Sequence, residues 1–360
     1  MKYRYLTLIA ACMALSANLF AQGERKDKTP VTYEELYDEP SSINKLFVGF
    51  QPLYGEMFVT NVNAGFGIDA TFYHKDKADF KAQFRKTYSA QFFDLSRSQA
   101  LKQEQTSVDN RAEVFTYFEF GGTYHIRDFE ESSKTKMFLY KNSYKGDRWA
   151  ARVPLNAEIP CKVRKIYGAR LGAIMWDSST DLDRAIEKQN LTNADFKTKE
   201  GFALPEQEYN LAGELQHVHV FSNVSSLGLY VGGSMTWIKN VAVNFDKFEE
   251  GIDDLIFTAY ADIMFAPMLS VDDIVYTEKN DEGLPIAGTT ATYSADPINL
   301  KKFGFRVGMD GRFNRQFSWA YGAELGYRPS LEGRMFYALL KISFPVFGTN
   351  LDYKVESFGK

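Results

Sequence analysis

The sequence predicts an all-β fold, an antiparallel transmembrane β-barrel of about 10 to 12 strands. Apolar residues return at every second position over runs of about 11 to 17 residues, the period of a strand whose two faces meet different surroundings. Strands of soluble proteins mostly run ~5 to 6 residues, whereas a tilted membrane strand needs ~9 to 11. Aromatic residues make up 15% of the 360-residue chain, with 30 Phe and 21 Tyr. Such a load suits an outward lipid face.

The chain opens on a segment read as an export signal. Lys2 and Arg4 precede an apolar run from Tyr5 to Leu15, and Leu19, Phe20 and Ala21 end it before Gln22. This is the layout of a secretory signal peptide, residues 1–21, which is set aside from the fold. A lipoprotein box at Ile9, Ala10, Ala11 and Cys12 is the weaker reading, since it leaves a very short apolar region ahead of the cut. Cleavage after Ala21 leaves Cys161 as the one cysteine, so no internal disulfide holds the fold. No stretch beyond residue 21 approaches the ~18 to 20 apolar residues of a membrane helix. Net charge of -4 with mixed signs gives no case for nucleic-acid binding.

The elements follow in order. Residues 22–44 form a polar, mobile leader. The barrel then occupies 45–347. Its first strand points Leu46, Val48, Phe50 and Pro52 one way and closes in a turn at Tyr54, Gly55 and Glu56. The second, "VTNVNAGFGIDATFY" (59–73), directs Val62, Ala64, Phe66, Ile68, Ala70 and Phe72 to lipid and Asn61, Asn63 and Asp69 to the lumen. The same alternation returns at 80–93, 111–127, 153–176, 227–245, 254–269, 303–313, 317–328 and 336–346. Ten strands result, or twelve if "KTKMFLYK" (134–141) and "ELQHVHVF" (214–221) are strands of their own.

Short turns belong to one side of such a barrel and long loops to the other. The tight turn Asn314, Arg315, Gln316 therefore defines the periplasmic side, shared with 128–152 and 246–253. Long outer loops fall near 94–110, 177–226 and 270–301. Asp177 to Gln189 has helix-start chemistry, Asp272 to Pro297 reads as a flexible loop, and 348–360 is a polar tail.

The inward faces carry glycine and ions of both signs: Lys81, Arg85, Glu113, Glu119, Arg127, Lys162, Arg164, Arg170, Asp262, Arg306, Asp310, Arg312, Glu324, Arg328 and Lys341. Enclosed ions need partners, so in a narrow lumen they form a closed, plugging network or line a small pore. The bases Lys81, Arg85, Lys162, Arg164 and Arg170 would favour anions in the second case. His217 and His219 share a strand face, but no third ligand or cysteine stands near, so no metal site and no cofactor are expected. Ser222, Ser225, Ser226 and Ser234 lie close to these histidines without a recognisable nucleophile motif. No catalytic residue is assigned and no enzyme is expected.

With its export signal, aromatic load and repeated alternation over about 45–347, the chain resembles the outer-membrane β-barrel proteins of Gram-negative bacteria. The Phe20, Ala21, Gln22 ending resembles those of exported proteins of the Bacteroidota. The resemblance rests on pattern and on no family motif. It implies location in the outer membrane, contact with outer-membrane lipid, and envelope protein partners met through outer loops or periplasmic segments. The terminal aromatic that barrel assembly reads would be Phe347 or Phe358. The function expected is a structural or accessory subunit of an envelope or secretion assembly. Alternatives are a small porin-like channel, a lipid-modifying outer-membrane enzyme and a secreted soluble β-sandwich.

Overall fold

The structure is a computed structural model that describes residues 32–60, 62–74, 76–88, 108–111, 113–139, 155–246, 250–314 and 319–348. The segment read as a signal peptide, Asn61, most of 94–110 and the C-terminal tail lie outside the described residues.

Ten antiparallel strands close into a barrel. They are β1 (Leu46–Phe58), β2 (Val62–His74), β3 (Ala78–Thr87), β4 (Thr116–Leu139), β5 (Leu155–Asp181), β6 (Phe221–Ile238), β7 (Leu255–Val271), β8 (Phe303–Phe313), β9 (Ala320–Tyr327) and β10 (Phe336–Gly348). Each pairs with the next in the chain, and β10 pairs with β1 to close the ring. Closure removes every free edge within the barrel wall. The count is ten and not twelve because 134–139, the described part of 134–141, prolongs β4, while Leu215–His217 pairs with Gln207–Tyr209 outside the barrel. Among the described residues, no helix is long and apolar enough to cross a membrane.

The outer surface is a band of exposed apolar side chains: Ile68, Phe120, Leu171, Ile263 and Leu340 are 48%, 64%, 64%, 63% and 68% exposed. Aromatic pairs flank the band, Phe265 with Phe303 and Phe305 with Tyr327 at one end, Trp237 with Phe257 and Trp319 with Tyr321 at the other. At a rise of ~3.3 Å per residue and a tilt of ~40°, the path from Phe303 to Phe313 spans roughly 25 Å, the height of a lipid-facing belt.

Pro52 interrupts the alternation of β1. It has no N–H for the ladder, and Pro52 and Leu53 together bulge opposite one residue of β2, between the pairs Gln51–Gly67 and Tyr54–Gly65. The strand does not turn at Tyr54, as the sequence suggests, but continues to Phe58 with its phase slipped. Tyr54, Glu56 and Phe58 consequently face inward, all fully buried.

Both ends of the barrel carry folded additions. At one end, loops 182–220 and 272–302 build a cap. It contains a helix, α1 (Asp183–Gln189), shorter than the 177–189 expected, and a hairpin of Ile274–Tyr276 with Ala291–Tyr293, so 272–297 is ordered structure and not a flexible loop. Glu208 is the cap's buried anchor, held by Lys279 at 2.9 Å and Gln216 at 3.0 Å and by the Tyr276 hydroxyl at 3.3 Å. Burial, with the Glu208 carboxylate beside it, pushes the Tyr276 phenol well above its ordinary value.

At the opposite end lie the first and last described residues. The run 227–245 breaks at Lys239 and Asn240, and Val241–Phe245 forms the centre of a three-stranded sheet between Tyr33–Asp38 and Gly251–Asp253. Tyr33–Asp38 corrects the view of 22–44 as wholly mobile, and Gly251–Asp253 replaces the simple turn expected at 246–253. The β4–β5 hairpin runs on past the barrel, and Met137, Leu139, Ile159, Cys161 and Val163 pack against Val241, Val243 and Phe245. Residues 39–45 then cross the mouth. Asn240 donates to the Glu39 and Ser42 carbonyls at 3.0 and 2.8 Å, and Asn44 and Asn314 bond each other.

The belt predicts a depth-dependent response. Ile68→Arg should cost about 2 to 4 kcal/mol of stability in lipid, whereas His74→Arg, at the end of the same strand, should cost about 0 to 1 kcal/mol. Urea titration of protein refolded into vesicles measures both, and equal, negligible costs would refute the facing.

Candidate functional site in the barrel interior

The inward faces of ten strands meet across a narrow space, and glycine sets how large groups fit into it. A Cβ at Gly121 or Gly172 would collide with the ring of Tyr230, and one at Gly308 with the ring of Tyr260. These two inward tyrosines lie over the missing side chains, and the arginines stack on them. The Arg170 guanidinium sits 4.0 Å from the Tyr260 ring centre and that of Arg306 4.5 Å from the Tyr230 ring centre.

The ions form a connected array. Arg306 on β8 reaches Glu119 on β4 at 2.6 and 3.0 Å, Asp262 on β7 at 2.8 Å and Glu324 on β9 at 3.5 Å. Asp262 also accepts from Arg170 on β5 at 2.9 and 3.2 Å. From Glu324 the array continues to Lys341 at 3.9 Å, then to Asp310 at 2.9 Å, which pairs in turn with Lys81 on β3. With its amide oxygen turned toward them, Gln83 accepts from Lys81 and Lys341 at 3.1 and 3.0 Å. A second group holds Glu56 between Arg328, at 2.7 and 3.0 Å, and Arg85, at 3.2 Å. β4 and β8 are not neighbours in the ring, and neither are β3 and β8. The pairs Glu119–Arg306 and Lys81–Asp310 therefore bridge the lumen.

Apolar layers lie on both sides of this array. Toward the cap, Tyr54, Phe58, Tyr117, Trp176 and Tyr337 from the strands join Phe115, Leu182, Phe196, Val218 and Val220 in one buried cluster. Toward the base, Ile43 and Phe47 pack with Ile166, Ile238 and Ile256 beneath the crossing segment. Cavities among these groups include one of about 10 Å³ around Lys81, Asp310 and Lys341, one of about 20 Å³ around Phe47, Asp69 and Ser343, and one of about 30 Å³ around Thr71, Tyr73 and Arg170, each with room for a water or two. A larger hollow of about 400 Å³, beside Asp38, Ser42, Glu130 and Lys162, opens at the base outside the sealed interior.

The structure gathers Lys81, Arg85, Glu119, Arg170, Asp262, Arg306, Asp310, Arg312, Glu324, Arg328 and Lys341 inside the barrel. Arg164 is also enclosed, 4% exposed, at the basal rim with Asp128 and Asp76. Three assignments are corrected. Glu113 precedes β4 and is exposed; its amide donates to Ser179 and Asn223 at the cap end. Arg127 follows a bulge at Ile126 that slips the phase of β4, so it points outward over the Phe129 ring. Lys162 lies on the hairpin extension beyond the barrel, exposed, with its amide bonded to Asp38.

Glu56 was missed as a lumen carboxylate. The legible signal was Pro52 followed by Tyr54, Glu56 and Phe58 in a new phase. Asn63 is lumen-facing but 1% exposed, in packed and not hydrated surroundings.

His217 and His219 stand in the cap beside Asp183, the latter at 2.8 Å. No group of three or more His, Cys, Asp or Glu suited to a metal occurs among the described residues. Ser222 is fully buried and donates to the Asp272 carbonyl at 2.6 Å. No known family model matches the chain, and no curated protein does.

Arg328 and Glu56 make the array testable. Glu56→Gln should cost about 3 to 5 kcal/mol, because it strands two buried guanidiniums, and Arg328→Met should cost less, because Glu56 keeps Arg85; the double variant should recover part of the Glu56→Gln loss, with Arg85 still lacking its carboxylate. Urea midpoints in vesicles measure the cycle; additive losses would show that the two do not act as a pair.

Proposed function

We propose that the chain is an integral outer-membrane β-barrel whose lumen is a packed, non-conducting core, and that it serves as a structural or accessory subunit of an envelope assembly. The single observation that carries this reading is the cross-lumen array of paired ions closed above and below by apolar side chains. A barrel so filled does not transport solute; it holds a cap on one side of the membrane and a small sheet on the other. The apolar belt, its aromatic flanks and the segment 1–21, read as an export signal, support the location. A porin-like pore is disfavoured, since Lys81, Arg85, Arg164 and Arg170, the bases that would select anions, are paired with carboxylates and Lys162 lies outside the lumen. A lipid-modifying enzyme is disfavoured by the burial of Ser222 away from His217 and His219.

Two measurements test the proposal. Membrane fractionation with a heat-modifiable band on a gel is expected, and a soluble protein with no mobility shift would overturn the membrane reading. Planar bilayers holding the refolded protein should show no current steps at ~0.15 M salt; reproducible steps would overturn the sealed lumen.

A further inference from the structure

Three turns of the cap share one hydrogen-bond pattern. In Thr198–Phe202, Asn210–Glu214 and Asn280–Leu284 the first amide donates to the fifth carbonyl at 2.9 Å in each case, and the fourth amide returns to the first carbonyl at 2.9, 2.9 and 2.8 Å. The fourth residue is Gly201, Gly213 or Gly283, with φ of +92°, +73° and +73°, a conformation side chains resist. The side-chain oxygen of the first residue also accepts within each turn, at 3.2 Å for Thr198, 2.9 Å for Asn210 and 2.8 Å for Asn280. Two of the turns touch: a Cβ on Gly283 would fall on the backbone of Asn210 and Leu211.

These rigid turns hold large apolar side chains in solvent. Phe202, Leu211, Leu215, Leu284 and Ile286 are 70%, 74%, 57%, 47% and 40% exposed, far from the lipid belt and on the outer side of the cap's own core. Within the three turns Glu200, Glu214, Asp281 and Glu282 are exposed beside a single exposed base, Lys199, and carboxylates outnumber basic groups in both 182–220 and 272–302. Apolar anchors within a charged rim are the anatomy of a protein interface, and turns already ordered lower the cost of binding.

Resting on the reading of the chain as a membrane-embedded subunit, we propose that these turns form a docking surface for a protein partner that presents apolar sockets within a basic rim. Charge decides the occupant. A second copy would set acidic rim against acidic rim, and an anionic lipid surface would be repelled likewise.

The test pans a phage-displayed random peptide library on the full-length protein in lipid nanodiscs, with empty nanodiscs as the control. Enriched peptides should combine Lys or Arg with large apolar residues. They should bind Leu211→Glu/Leu284→Glu at least about 10-fold more weakly and weaken with added salt. The proposal is overturned if nothing is enriched, if enriched peptides are acidic or bind the variant equally, or if sedimentation shows self-association that the variant abolishes. Both proteins should keep the heat-modifiable band in the membrane fraction. Its absence from the wild type sinks the membrane reading itself, whereas a membrane-borne protein with a failed panning sinks the docking surface alone.

Discussion

The constraint on which the structure depends is that a guanidinium taken out of water must meet carboxylates. Arg306, 1% exposed, satisfies this with Glu119 across the lumen and with Asp262 and Glu324 on the two adjoining strands. Desolvation of such an ion is costly, and the attraction between partners offsets it only when geometry and remaining hydrogen bonds are good. Because the partners sit on β4, β7 and β9 and the arginine on β8, satisfying it fixes four strands relative to each other. The ladder of hydrogen bonds closes the wall; the ion array decides what the wall encloses.

This interior explains the ends. A barrel filled by ions alone would leave them open to water at both mouths, where screening weakens every pair. Here aromatic side chains cover the array toward the cap, and Ile43 and Phe47 cover it toward the base. The loops that supply Phe196, Val218 and Val220 are thereby tied to the barrel core. That tie accounts for an ordered cap above the barrel wall, and the three glycine-bearing turns at its outer side inherit that rigidity.

Much of this was legible in particular residues. The pairing of Ile68 with polar Asp69, and of Leu340 with Lys341, already assigns outside and inside. Glycine on the inward face was legible too, although its meaning was not. Gly121 and Gly172 are sockets for Tyr230, which comes from a different strand. The phase errors at Glu56 and Arg127 share one cause. A bulge adds one residue to a strand, and every side chain beyond it changes face. Pro52 announced its bulge; nothing in the sequence around Ile126 did.

The amino-acid order alone specifies the wall: strand period, strand length, the outward apolar stripe and the set of ions that must find partners, because these depend on neighbours along the chain. Only the tertiary structure decided that the lumen is filled, that Arg306 meets Glu119 187 positions away, and that 39–45 returns to close the base. Those outcomes depend on which strands oppose one another across a closed ring. Opposition across a ring is fixed by strand number and stagger, and alternation within a single strand is silent on both.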